Sequence, residues 1–401
     1  MTHPAQDTLL AEIEARSDEI VALTRELIRI PSVNPPGDFY RDCAELIGAR
    51  LASRGFAVEH LRAEGSPGDS DRYPRWNVIA RREGASPGPC VHFNGHIDVV
   101  ATGEGWTCPP FEGVVKDGRV YGRGACDMKG GIAAFVAGAA QHLADGPPKG
   151  SISLLITGDE EGPAVDGTVR VLEWMRANDQ IPDFCLVGEP TCPVKLGDMV
   201  KIGRRGSLNA KITVHGTQGH VAYPHRADNP VHRLVRAAAA LTAAPLDAGN
   251  DWFEPSSLQF TSVDVGNPVT NVIPAAARAM LNIRFNNQHS GASLSAWLRA
   301  VLAQHTERFN LDISIRGESF LTQPGKLVET LRQAIIDASC VDPKLDTGGG
   351  TSDARFIANY CPVAEFGLVG ATMHQTDERV PVSELRDLAR IYRGILTAFL
   401  R

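Results

Sequence analysis

The sequence predicts an α/β protein carrying a smaller α+β block as an insert. Two observations lead there. Short apolar runs alternate with helical patterns in both flanks of the chain, and near residue 205 they give way to strands that alternate apolar and polar residues. The 401 residues are enough for two or three domains and a substantial core. Hydrophobic residues make up 43% and charged ones 22%, which rules out disordered, collagen-like and coiled-coil chains.

The elements follow in order. Ile20, Leu23, Leu27 and Ile30 recur at helical spacing until Pro31 stops the run. A second helix is expected over 42–54, capped by Gly55. The runs 90–94, 152–156, 184–187 and 364–369 read as buried strands. Between them, Ile132, Phe135, Val136, Ala139, Ala140 and Leu143 form one helical stripe after Asp127. In the insert, Leu208, Ala210, Ile212 and Val214 alternate with Asn209, Lys211, Thr213 and His215. A helix over 231–241 and strands over 258–265, 277–285 and 311–315 complete the block. The α/β pattern then resumes, with helices over 327–338 and 383–400. The expected division is 1–205 and 319–401 for the larger domain, with 206–318 inserted.

Charge narrows the partners. Lys and Arg number 40 against 47 Asp and Glu, a formal charge of −7, and no basic block stands out. Nucleic acid is therefore not an expected partner. None of the eight cysteines forms a Cys-x-x-Cys pair, so they read as buried thiols of a reducing compartment. Residues 1–19 lack the basic start and apolar stretch of a secretory leader, and the longest apolar tract, 130–140, is too short to span a bilayer. The expectation is a cytoplasmic protein with no membrane partner.

The chemistry collects where the predicted strands end. His96-Ile-Asp98 follows the first, Asp159-Glu160-Glu161 the second, Glu189 the third, and His374 comes after the fourth. Asp127 closes a glycine-rich turn, Gly122-Arg-Gly-Ala-Cys-Asp127, just before a helix. Ligands of open α/β sheets bind at the carboxyl ends of the strands. A single acid there is ordinarily a turn residue or helix cap. Several converging on one crevice would repel one another unless cations neutralised them. Imidazole and carboxylate donors without thiolate suit zinc, manganese or cobalt. A carboxylate outside the ligand set would then serve as general base, and a carboxylate two residues from a ligating histidine would orient its ring.

His96-Ile-Asp98, Gly124-Ala-Cys-Asp127-Met-Lys-Gly, Glu160-Glu161-Gly, Gly188-Glu189-Pro and the late His374 together resemble the dinuclear-zinc aminoacylase/carboxypeptidase family of amidohydrolases, in order and over nearly the whole chain. The resemblance implies a mixed-sheet, zinc-peptidase-like catalytic domain with an inserted ferredoxin-like domain for dimerisation and closure. It assigns His96 and Glu189 to one zinc, Glu161 and His374 to the other, and Asp127 to both, with cobalt able to substitute. Glu160 becomes the general acid/base and Asp98 the support of His96. A cis peptide is implied at Asp127–Met128.

Five further stretches refine the expected substrate: Gly203-Arg-Arg-Gly-Ser207, Gly219-His-Val-Ala-Tyr-Pro-His225, Thr270-Asn-Val-Ile-Pro274, Phe320-Leu-Thr-Gln-Pro-Gly-Lys326 and Gly348-Gly-Gly-Thr-Ser-Asp-Ala-Arg-Phe356. They resemble family members that remove a succinyl group from a small amino acid rich in carboxylates. Arg204, Tyr223, Asn271, Arg284, Gly350 and Thr351 are the implied substrate contacts. His220 is implied to stabilise the oxyanion from the second subunit of a homodimer. Alternation alone would make Arg284 an exposed sheet residue, and Arg204 with Arg205 a solvated turn. Ser352, before a predicted helix, suits an anion-binding N-terminus. Thr270 departs from the Asn common in such relatives, residues 375–378 read as variable, and Cys126 reads as a small buried residue. The alternatives are a hydrolase of N-acetylornithine or of another N-acyl amino acid with the same metal set, or an inactive binding protein on the same fold.

Overall fold

A computed structural model of the chain describes residues 19–401. Residues 1–18, read above as free of a secretory leader, lie outside them. The described chain divides into two compact units, one of residues 19–202, 322–346 and 352–401, the other of 203–321 and 347–351.

The first unit is built on an eight-stranded mixed sheet. Its order is Ala57–Arg62, Trp76–Glu83, Lys149–Thr157, Ser86–His96, Phe184–Val187, Val363–Glu365, Met199–Lys201, Lys344–Asp346. The four strands from Lys149–Thr157 to Val363–Glu365 run parallel, while the first two pair antiparallel. Eight of the nine residues of Lys149–Thr157 are buried, which explains its near-continuous apolar run. The strand expected over 364–369 stops at Glu365.

Helices Lys129–Ala144 and Val382–Leu400 pack on each other and against the central strand Ser86–His96. Phe93 stacks on Phe135 at 4.0 Å between ring centres, and Tyr392 meets both rings edge-on. Gly138 permits the close helix approach: a Cβ there would lie 2.6 Å from the Ala389 carbonyl oxygen. The Lys129 ammonium is fully buried and donates to the Leu27 and Ile30 carbonyls at 2.9 and 2.8 Å. It thereby adds a charged donor to carbonyls at and just past the end of the helix over 19–28, which also accept the backbone N–H groups of Ile30 and Ser32.

The second unit is a four-stranded antiparallel sheet in the order Ser257–Asp264, Ala276–Phe285, Gly206–His215, Phe309–Gly317. Helices Pro230–Leu241 and Gly291–His305 complete a βαββαβ, ferredoxin-like pattern. Leu208, Ala210, Ile212 and Val214 pack with Leu234, Leu241, Leu294, Leu298 and Leu302 in its core. The period-2 alternation seen in the sequence is this one-sided burial. Among the described residues, no helix is long and apolar enough to cross a membrane.

Candidate active site

The parallel strands of the first unit deliver the site. Ser86–His96 ends in His96, which is 3% exposed, and the chain continues into the fully buried Asp98. Lys149–Thr157 leads into Glu160 and Glu161, and Phe184–Val187 into Glu189. Asp127 arrives on the turn before helix Lys129–Ala144, and the Asp127–Met128 peptide is cis. Gly124 in that turn has φ of +85°, a conformation that favours glycine. His374, itself at a φ of +61°, arrives on the segment before strand Arg379–Pro381.

Asp127 divides its carboxylate between two imidazoles. Oδ1 lies 3.2 Å from His96 Nε2, and Oδ2 lies 3.1 Å from His374 Nε2. Each ring faces a further carboxylate: Glu189 Oε1 is 3.8 Å from His96 Nε2, and Glu161 Oε1 is 2.9 Å from His374 Nε2. Among the described residues, three groups bring their donor atoms within 4.8 Å of one another: His96 with Asp127 and Glu189, Asp127 with Glu161 and His374, and His96 with Glu160 and Glu161. Such a donor set of two imidazoles and four carboxylates fits a pair of divalent ions, because carboxylates this close repel one another until cations neutralise them. No cysteine belongs to these groups.

The electrostatics reflect that crowding. Burial opposes ionisation of Asp127, yet the hydrogen bonds to His374 and His96 outweigh it and hold the carboxyl far below its usual range. The same contacts raise His374 to about 10. His96 is also raised, since Asp127 and Asp98 overcome the burial that disfavours its charge. Glu160 moves the other way for a carboxylate: burial first, then the charge of Glu189, pushes it well above normal. Its nearest cation is Arg355, whose Nη1 lies 4.0 Å from Oε1.

Asp98 does more than face His96. His96 Nδ1 lies 3.0 Å from the Asp98 backbone carbonyl and 3.5 Å from Oδ1. The Asp98 carboxylate accepts the backbone N–H groups of Glu160 and Glu161, and the Asn34 side-chain amide. Asp159, the first acid of the Asp159-Glu160-Glu161 run, turns inward instead and accepts the N–H groups of Val165 and Asp166. Sequence reading missed Asn34, whose amide links Asp98 to Asp159, and no spacing pattern marks it. It also missed Glu378, fully buried in the stretch read as variable. A signal existed in Arg123: a cation set between two glycines in a buried turn requires a buried anion.

The implied substrate contacts belong to the second unit. Arg204 is buried, and its Nη1 donates to the Gly348 and Gly350 carbonyls at 3.3 Å each, so it braces the Gly350–Thr351 stretch rather than lying in a solvated turn. The short pair Gly219–His220 and Val272–Ile273 brings His220, Tyr223 and Asn271 together: the Val221 N–H donates to the Asn271 carbonyl, and the His220 and Tyr223 rings are 5.8 Å apart. His220, Tyr223 and Asn271 are exposed. Arg284 stands opposite Ser207 and Ser257 and is half-buried; burial and the neighbouring Arg205 disfavour its charge. In the first unit, Ser352 does not head an anion site. It is buried, donates to Glu365 Oε1 at 2.7 Å, and precedes a helix of only four residues, Ala354–Ile357.

Residues 92–398 match the model of peptidase family M20/M25/M40. The chain belongs to that family. Among its relatives, the succinyl-diaminopimelate desuccinylase of Gluconacetobacter diazotrophicus is 56% identical over 382 residues, 95% of this chain and 97% of that one. The desuccinylase of Gluconobacter oxydans is 54% identical over 379 residues, 94% and 97% of the two chains. In fold, the chain is similar to a dinuclear metal-binding peptidase of the M20 family from Bacillus subtilis, with a TM-score of 0.70 at 16% identity over 96% of this chain and 98% of that one. The resemblance of the motifs and the family match thus agree.

Proposed function

We propose that the protein is a metal-dependent amide hydrolase that cleaves N-succinyl-LL-2,6-diaminopimelate to succinate and LL-2,6-diaminopimelate, in the formation of lysine and diaminopimelate. The observation that carries the hydrolase reading is the two-sided arrangement around Asp127, with one imidazole and one further carboxylate on each side. The substrate rests on the desuccinylases that are 54–56% identical along 94–95% of the chain.

His96 and Glu189 would hold one ion, Glu161 and His374 the other, and Asp127 both. When bound, such an ion pair, read as zinc with cobalt able to substitute, neutralises the carboxylates, polarises the scissile carbonyl and acidifies a water. Glu160 takes a proton from the attacking water and delivers it to the amide nitrogen as the bond breaks. Burial raises its proton affinity, which suits a carboxylate that must first accept a proton and then release it. Asp98 holds the Glu160–Glu161 backbone and faces His96, which keeps base and ligands in register.

The substrate presents three carboxylates. Arg284, whose charge is disfavoured by burial and by Arg205, gains from any anion that settles beside it. Arg204 orders the Gly350–Thr351 stretch, whose backbone and hydroxyl donors suit another carboxylate. Tyr223 and Asn271 flank His220, which would donate to the developing oxyanion from the second subunit of a homodimer. The reading places the enzyme in the cytoplasm. Succinate release from the succinylated substrate by zinc-loaded protein tests it, and no release from that substrate contradicts it.

A further inference from the structure

The fully buried pair Arg123 and Glu378 joins the two chain segments that meet at one side of Asp127. Glu378 Oε1 accepts the backbone N–H of Cys126 at 3.0 Å and of Asp127 at 3.2 Å, and the Cys126 thiol at 3.4 Å. Oε2 accepts the Gly124 N–H at 3.1 Å and Arg123 Nη1 at 2.7 Å. Every one of these partners is a donor, so a side chain with an acceptor at both oxygens fits the turn. Arg123 in turn donates to the carbonyls of Gln375 at 3.2 Å and His374 at 3.5 Å, and to those of Ala101 and Thr102 at 3.2 Å. Its guanidinium also lies 5.3 Å from the centre of the Trp106 ring. The backbone adds one tie, from the Gly122 N–H to the Glu378 carbonyl at 2.9 Å.

We propose that Arg123 and Glu378 are positioning residues that hold Asp127 and His374 at the separation needed to share one of the two ions. The inference rests on the two-ion reading above. The pair reaches the backbone of Asp127 and of His374, yet none of its hydrogen bonds goes to His96 or Glu189. Asp127 serves both ions, but only the His374 side has a second tie, through Arg123, so losing the pair should weaken the ion held by Glu161 and His374 more than the other. That asymmetry separates positioning from general support of the fold. Partners behind metal ligands typically contribute about 10–100-fold in affinity.

The test is a calorimetric titration of the metal-free full chain with Co2+, read also by the cobalt absorption spectrum, for the parent and Glu378→Gln. The amide keeps one acceptor but turns an N–H toward donors. The parent is expected to bind two ions. The variant is expected to bind the first within about threefold of the parent and the second at least about tenfold more weakly. A second ion bound as in the parent overturns the proposal, and so does an equal loss at both sites. Should Glu378→Gln fail to fold, Arg123→Lys takes its place under the same criteria, since it keeps the buried charge and loses the fork. Failure of both to fold assigns the pair to the fold and overturns the proposal. Fewer than two ions in the parent overturns the two-ion reading itself, a result distinct from two normal ions in the variant.

Discussion

Asp98 accepts the backbone N–H of Glu161 at 3.0 Å, through the same carboxylate oxygen that takes the Asn34 amide. One fully buried acid thus ties the end of the His96 strand to the turn that carries Glu160 and Glu161. Asp98→Asn would turn an N–H toward these donors. A donor left facing donors in a buried site costs about 1–3 kcal/mol. We expect a lower unfolding midpoint and metal affinity reduced about 10–100-fold. A metal titration within twofold of the parent would mean that the carboxylate has no such role.

Glu160 is the only acid of the cluster given a proton-carrying role. Glu160→Gln preserves volume and removes the titrating group, so turnover should fall by at least about 10²-fold while metal content stays near the parent's. Metal analysis and initial rates on the same preparation check this. Persistent activity would move the general base elsewhere.

Arg284→Ala removes a half-buried cation whose charge is disfavoured by burial and by Arg205. The thermal midpoint should hardly move, because the lost charge was not stabilised by a partner anion. A charge-assisted hydrogen bond to substrate is worth about 1.5–3 kcal/mol, so kcat/KM for the succinylated substrate should fall about 10–150-fold. An unfolded variant would make Arg284 structural instead.

Two buried histidines away from the ligand set predict an acid-side loss of stability. Burial, then Arg81, lowers His92 to about 3, and burial, then Arg401, lowers His142 to about 4. Both are neutral when folded and take protons near pH 6.5 when unfolded, so the unfolded state binds more protons below that pH. The stability each contributes is complete above pH 6.5 and falls as the pH drops, by about 2 kcal/mol between pH 6.5 and 5. Urea midpoints across that window should fall less steeply for His92→Gln than for the parent. Identical slopes would contradict the assignment.

The residues legible in the sequence are those whose role is announced locally. His96, Glu160, Glu161 and Glu189 follow apolar runs that read as buried strands, and the structure sets His96 at the end of its strand and the three glutamates just past theirs. The insert was legible because its sheet is covered on one side, so apolar and polar residues alternate. Trp76–Glu83 escaped notice because its buried residues give way to Arg81, Arg82 and Glu83 before the strand ends. Asn34 and Glu378 were silent for a different reason. Asn34 meets Asp98 across 64 residues, and Glu378 meets Cys126 across 252, so only the tertiary fold gives them a role. Ser352 misled because a hydroxyl before a helix looks alike whether it faces an anion or a buried glutamate.

The central claim is the amide that is cut. Initial rates of zinc-loaded protein on N-succinyl-LL-2,6-diaminopimelate and on N-acetylornithine, at matched concentrations, test it most directly. The account predicts a clear kcat/KM preference for the succinylated substrate, in which an acyl carboxylate meets the arginines. A clear preference for the acetylated one would contradict it.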